Sequence, residues 1–287
     1  MRRSVLGMAM GALALCALVG FPALAAESPI LSAARKAETG LRARVGLAVV
    51  DTASGKTWLH NADQRFPLAS TFKALACAAL LDAGADTLNK MAAIGQGELV
   101  SHSPVTKAMT GREVPAAGLC AITLRTSDNT AANKVLEVLG GPAAVTAFLR
   151  SVGDDTTRLD RMEPELNEGR PGDPRDTTTP AAMAATLRKL VLGDALGEPE
   201  RRQLTDWLVA NEVSGSLLRS GIPKDWRIAD RSGAGGFGTR GIVAVMWPPH
   251  RKPIVAAIYL TETGVSMEAR NAAIAEIGRA IAAEFPD

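Results

Sequence analysis

Apolar residues fall into two kinds of run along this chain, and the switch between them outlines its architecture. Val45-Gly-Leu-Ala-Val-Val50 is a short, continuous apolar run. A Ser/Gly turn follows over residues 51–56, and Thr57-Trp58-Leu59 begins a return strand. Such runs bounded by turn residues predict a β-hairpin. Residues 28–39 before it alternate polar and apolar positions as a short helix would. From Thr71 to Ala210 strand patterns nearly vanish. Phe72, Leu75, Ala76, Ala79 and Leu80 recur at helical spacing and predict one apolar helix face. Residues 130–139, closed by Gly140-Gly141, and residues 180–192 and 198–211 predict further helices. Strand patterns return beyond Ile222, at 226–229, 241–247 and 253–260. Ile274, Ile277, Ile281 and Phe285 then predict a closing amphipathic helix.

Strands therefore open and close the chain around a helical block. The expected fold class is α/β of the α+β kind: an antiparallel five-stranded sheet flanked by the terminal helices, with an inserted all-α domain. The expected boundaries are 26–63 with 212–287 for the discontinuous sheet domain and 64–211 for the helical one. A site is expected in the cleft between them. Residues 158–179 are polar, carry Pro and Gly, and show no periodicity. An Ω-type loop that long inside a compact domain is usually functional.

The first residues change the picture of location. Arg2-Arg3 precede an apolar run from Val5, Gly20 and Pro22 break it, and Ala23-Leu24-Ala25 supplies a small-x-small end. This predicts an export signal, residues 1–25, cleaved after Ala25, and a periplasmic protein with no membrane attachment once the signal is gone. Hydrophobic residues make up 47% of the chain but aromatics only 4%. The core must therefore come from Ala, Leu, Val and Ile, which favours helices. Lys and Arg total 32 against 30 acidic residues, and the signal removes two arginines. A balanced chain without a polybasic run has no general attraction for nucleic acid or an anionic membrane. Cys16 leaves with the signal. Cys77 and Cys120 remain, an even number in an exported protein, so a disulfide is expected. It would stabilise by roughly 3–4 kcal/mol in the chain-entropy picture. Two buried free thiols are the alternative.

The chemistry centres on Ser70-Thr-Phe-Lys73. At the start of a helix this spacing puts a hydroxyl and an amine on one face, one turn apart. Ser127-Asp128-Asn129, Glu163-Pro164-Glu165-Leu166-Asn167 and Arg231-Ser232-Gly233 follow in that order. Together these motifs, over nearly the whole chain after the signal, resemble the class A serine β-lactamases. The resemblance implies a serine β-lactamase and penicillin-binding-protein-like fold, hydrolysis of the cyclic amide of penicillins, no cofactor, no metal and a monomer. It implies Ser70 as nucleophile, Lys73 as proton shuttle, Ser127 as donor to the leaving nitrogen, and Glu163 with Asn167 as holders of the deacylating water. The backbone N–H groups of Ser70 and Ala234 would form the oxyanion hole. Asn129, Ser232, Gly233, Arg240 and His102 would contact substrate. An Arg161–Asp176 ion pair and a cis Glu163–Pro164 bond would pin the loop.

The third motif departs from the usual Lys-Thr-Gly or Lys-Ser-Gly. Arg231 keeps the charge but offers a planar fork suited to carboxylate. With the following Gly-Ala-Gly-Gly-Phe-Gly it resembles the carbenicillin-hydrolysing branch, whose substrate carries an extra carboxylate. Ala69 and Gly235 stand where carbapenemases of the family carry linked cysteines, and Gly235 and Gly236 lack substitutions tied to extended cephalosporin spectra. A penicillin-biased enzyme is expected.

Other chemistries fit less well. Gly233-Ala-Gly235-Gly-Phe-Gly238 matches a dinucleotide fingerprint, but a Val/Ile-rich strand follows it where a helix is needed. His60, His102 and His250 have no metal-ligand spacing. A D-Ala-D-Ala carboxypeptidase or transpeptidase, and a β-lactam sensor that acylates without turnover, share the Ser-Lys set. Glu163 and Asn167 argue against the first. The second would need a retained transmembrane link and a crippled deacylation base, neither of which the sequence suggests.

Overall fold

In the computed structural model, residues 28–285 are described. The export signal and its cleavage point lie outside the described residues. Helix α1 (Pro29–Leu41) leads into strands β1 (Arg44–Asp51) and β2 (Thr57–His60). Three long strands end the sheet: β3 (Arg227–Ala234), β4 (Arg240–Trp247) and β5 (Ile254–Thr261). The sheet is antiparallel in the order β2-β1-β5-β4-β3. Its centre joins the two ends of the chain, from Arg44 opposite Thr261 to Asp51 opposite Ile254.

Both faces of the sheet are buried, which is why its strands read as continuous apolar runs and not as alternation. Ile242, Ala244 and Met246 of β4 face one layer, and Val243 and Val245 face the other. The outer layer is α1 and the closing helix α8 (Met267–Glu284), which contribute Ile30, Ala34, Ile274, Ile277 and Ile281. Burying each of those isoleucines stabilises by about 1.5–3 kcal/mol.

On the inner face lie α2 (Phe72–Asp82), α3 (Ala116–Thr126), α4 (Asn129–Leu139), α5 (Pro142–Ser151), α6 (Pro180–Leu192) and α7 (Glu198–Val209). Helix α2 differs from the expected amphipathic helix. Every residue from Phe72 to Leu81 is buried. Helices α3, α4, α5 and α7 surround it, so no face is left for solvent. Cys77 of α2 and Cys120 of α3 form a disulfide with Cα atoms 5.6 Å apart.

Two other differences have local causes. Strand β3 does not stop at Ala229 but continues through Asp230 and Arg231. The Asp230 charge is tolerated inside the strand because it pairs with Arg219 at 2.7 Å. Within the block that reads as helical, Phe66–Pro67 pairs with Thr177–Thr178, and Met91–Ala93 pairs with Glu113–Pro115. Strands of two or three residues are too short to show a period.

Candidate active site

Ser70 sits in a single tight turn, Ala69–Thr71, that runs straight into α2. Its N–H lies at the start of that helix, where the dipole favours negative charge. Ala69 holds a left-handed φ of 42°, a conformation that costs a non-glycine residue about 1–3 kcal/mol. Strand β3 packs against this turn through Gly233. A Cβ at Gly233 would fall 2.7 Å from Ser70 N, so only glycine allows the strand this close.

The segment between α3 and α4 delivers the second motif. Ser127 takes a left-handed φ of 63° and ends α3. Asp128 caps α4 and is fully buried. Its carboxylate accepts from Val105 N, Thr106 N, Thr106 Oγ1 and Ala131 N at 2.7–3.0 Å. The turn is thereby fixed, with Ser127 Oγ 3.4 Å from Ser70 Oγ.

Lys73 is wholly buried. Its Nζ donates to Asn129 Oδ1 at 2.6 Å and to Ser127 O at 2.9 Å. It also lies 3.3 Å from Ser127 Oγ and 3.1 Å from Glu163 Oε1. Burial pulls its pKa down to about 8; Glu163 opposes the shift and Arg231 adds to it. Among the described residues no hydrogen bond joins Lys73 Nζ to Ser70 Oγ. The hydroxyl and amine that the spacing puts on one face meet through a shared partner. Glu163 Oε1 touches both, accepting from Ser70 Oγ at 3.5 Å.

Glu163 hangs from the 158–179 loop and is only 2% exposed. Asn133, one turn beyond Asn129 on the same face of α4, clamps its backbone: Asn133 Nδ2 donates to Glu163 O and Asn133 Oδ1 accepts from Glu163 N, both at 2.8 Å. Asn167 Nδ2 donates to Glu163 Oε2. The Glu163–Pro164 bond is cis. At the loop's neck Arg161 Nε lies 2.6 Å from Asp176 Oδ2. Asp176 Oδ1 also accepts from the N–H groups of Asp160 and Arg161. Two backbone bonds tie the loop to the rest of the site: Leu68 N to Asp176 O and Gly236 N to Asn167 O, each 2.8 Å.

The far end of the cleft is cationic. Arg231 is fully buried, and its Nη2 donates to Ser127 Oγ at 2.5 Å. Its Nε and Nη1 have no partner among the described residues. Burial lowers its pKa to about 10, against the pull of Asp230 and Glu163, so it stays charged at neutral pH. Arg240 reaches across β3 to Gly233 O at 3.1 Å and is held by Asn271 Oδ1 at 2.8 Å. Burial, with Arg270 adding, brings its pKa to about 10. The cleft, about 370 Å³, is lined by Ser70, Ser127, Asn129, Asn167, Ser232, Gly233, Ala234 and Arg240, with His102, Val213 and Met267 at its walls.

The sequence matches the beta-lactamase enzyme family over residues 31–285. The chain belongs to that family. Beta-lactamase PSE-4 of Pseudomonas aeruginosa is 52% identical over 247 residues, 85% of this chain and 86% of its own. Beta-lactamase AER-1 of Aeromonas hydrophila is 46% identical over 284 residues, 96% of this chain and 93% of its own. Among solved structures, an ancestral class A β-lactamase superposes with a TM-score of 0.87 at 53% identity, covering 89% of this chain and all of that one.

For a class A β-lactamase the cleft holds together the motif residues that the sequence singles out. His102 stands at the mouth, its Nε2 3.3 Å from Thr126 O. Sequence reasoning missed Asn133 and the capping role of Asp128. The i, i+4 spacing of Asn129 and Asn133 was the available hint, because it puts both amides on one helix face. Nothing in the local pattern marks Val213 or Met267 as cleft walls.

Proposed function

We propose that this β-lactamase opens penicillins, carbenicillin among them, through an ester on Ser70, and frees itself with a water activated by Glu163. The observation that carries this reading is Glu163 Oε1. It is the carboxylate oxygen that accepts from the Ser70 hydroxyl, and it also contacts the Lys73 ammonium. Ser70 Oγ attacks the lactam carbonyl and its proton passes to the Glu163 carboxylate. The N–H groups of Ser70 and Ala234 bind the developing oxyanion. As the C–N bond breaks, Ser127 protonates the ring nitrogen and is reprotonated through Lys73 by the proton that Glu163 took, which leaves Glu163 ionised again. Glu163 and Asn167 then hold a water. Glu163 removes its proton, the hydroxide attacks the ester, and Ser70 regains its hydrogen as the acid leaves.

The buried Arg231, with two donors unmet, and Arg240 supply the charge for the substrate's carboxylate, and Arg231 favours the second carboxylate of carbenicillin. Asn129 and Ser232 hold the substrate's amide and carboxylate, and His102 covers the mouth. The apolar leader sequence and the Cys77–Cys120 disulfide support export to the periplasm. There the enzyme works as a monomer without cofactor. Among the described residues no helix is long and apolar enough to cross a membrane.

Glu163→Gln tests the reading. It should acylate with benzylpenicillin more slowly, because Lys73 alone must then take the Ser70 proton, and release product at least about 10²-fold more slowly, with a stable adduct on Ser70 visible by mass spectrometry. A variant that turns over at the parent's rate would overturn it. A parent protein that stops after one equivalent would be a sensor, not a hydrolase.

A further inference from the structure

Behind the nucleophile, on the side away from the cleft, lies a buried hydroxyl relay. We propose that Tyr259 is a positioning residue for acylation: its hydroxyl fixes Thr71, and through Thr71 the turn that aims Ser70. The inference rests on Ser70 being the nucleophile.

Tyr259 is the only tyrosine in the chain. It lies on the central strand β5, and it and Thr71 are fully buried. Tyr259 OH is 3.0 Å from Thr71 Oγ1, which itself donates to Leu68 O at 2.6 Å. Thr71 has one hydroxyl proton and spends it on Leu68, so the Tyr259 O–H is the donor of the pair. Burial raises the phenol's pKa, which keeps that proton in place. The relay thus runs from the sheet into the carbonyl that starts the nucleophile's turn. Leu68 is also where the catalytic loop attaches, through its N–H to Asp176 O.

The sheet is shaped to admit this side chain. The cross-strand neighbours of Tyr259 are both glycines, Gly46 on β1 and Gly241 on β4. A Cβ at Gly241 would meet the Tyr259 ring at 2.6 Å, and one at Gly46 would meet the Phe66 ring at 2.3 Å. Phe66 stacks on Tyr259 with centroids 6.2 Å apart. Glycine weakens a strand interior, so two of them beside one tyrosine mark a place where the ring's position is worth that loss. On the opposite side, Gly233 presses on Ser70 N. The turn, with its left-handed Ala69, is therefore held between β3 in front and the Tyr259–Thr71 pair behind.

Tyr259→Phe removes only the hydroxyl and keeps the stacked ring. Acylation by benzylpenicillin, followed by stopped flow and normalised to the Ser70 sites acylated, should fall about fivefold, the kinetic equivalent of one ordinary hydrogen bond. Deacylation should not change. Thr71→Val should fall by the same factor, the double variant no further, and Thr71→Ser should keep the parent's rate. Parental acylation per site in Tyr259→Phe, even with a lower Tm, would overturn the proposal, because a purely structural tyrosine changes stability alone. So would additive losses in the double variant. Absence of any Ser70 adduct in the parent would instead defeat the reading of Ser70 itself.

Discussion

Arg231 holds a full charge inside the protein with two donors unmet, and Lys73 holds another a few ångströms from a carboxylate. Each gives a measurable consequence. Arg231→Lys keeps the charge but loses the fork. Carbenicillin turnover should drop several-fold relative to benzylpenicillin, read from kcat/KM on the two substrates. Equal losses would leave only general anion binding. Lys73 releases its proton at about 8 in the folded protein against 10.5 otherwise. Above that lower value Glu163 loses its positive partner, so kcat/KM should decline on the alkaline side with a midpoint near pH 8 in a pH–rate profile. The folded state binds fewer protons than the unfolded between the two values. This group's contribution to stability therefore rises with pH across that window. At this scale the sequence revealed identities better than orientations. Ser70, Lys73 and Ser127 are legible because few side chains supply their chemistry. The turning of Lys73 toward Asn129 is not, because it depends on which acceptors the fold brings near.

The loop carrying Glu163 is an element with almost no regular structure, and its shape comes from side-chain bonds. Asp176 accepts from two backbone N–H groups and pairs with Arg161 while only 1% exposed. Arg161 would keep its pairing with Glu168, so losing Asp176 should cost less than the roughly 3–5 kcal/mol of a fully stranded buried charge. The larger loss is the two backbone N–H groups left without their acceptor. Asp176→Ala should therefore lower Tm and slow deacylation more than acylation, measured in single-turnover experiments. Unchanged deacylation would mean that the Asn133 clamp alone holds Glu163. The loop's existence was legible from its lack of periodicity, and the hairpin and most helices from theirs. Strand β3 was not legible beyond Ala229, since Asp230 and Arg231 look like a strand's end until their buried partners are known. The all-round burial of α2 was equally hidden, because its alanines suit an exposed face as well as a crowded one.

For the whole molecule, the two apolar layers on either side of one sheet follow from the order of strands and helices in the chain. The cleft forms where β3, the turn at Ser70 and the 158–179 loop meet, so no single segment contains it. That is why the motifs are spread from Ser70 to Arg240. The central pairing of β1 with β5 has a further consequence for how the protein comes into being. Beyond its hairpin partner β2, the first strand of the sheet finds its other neighbour only after residue 253 of 287. A chain still being synthesised holds β1 and β2 with nothing more to zip onto. Contacts this distant in sequence slow folding. A fragment ending at Pro253 should show no cooperative melting, and adding back residues to Thr261 and the closing helix should restore it. The architecture acts as a timer, keeping the nascent polypeptide loose until its tail arrives.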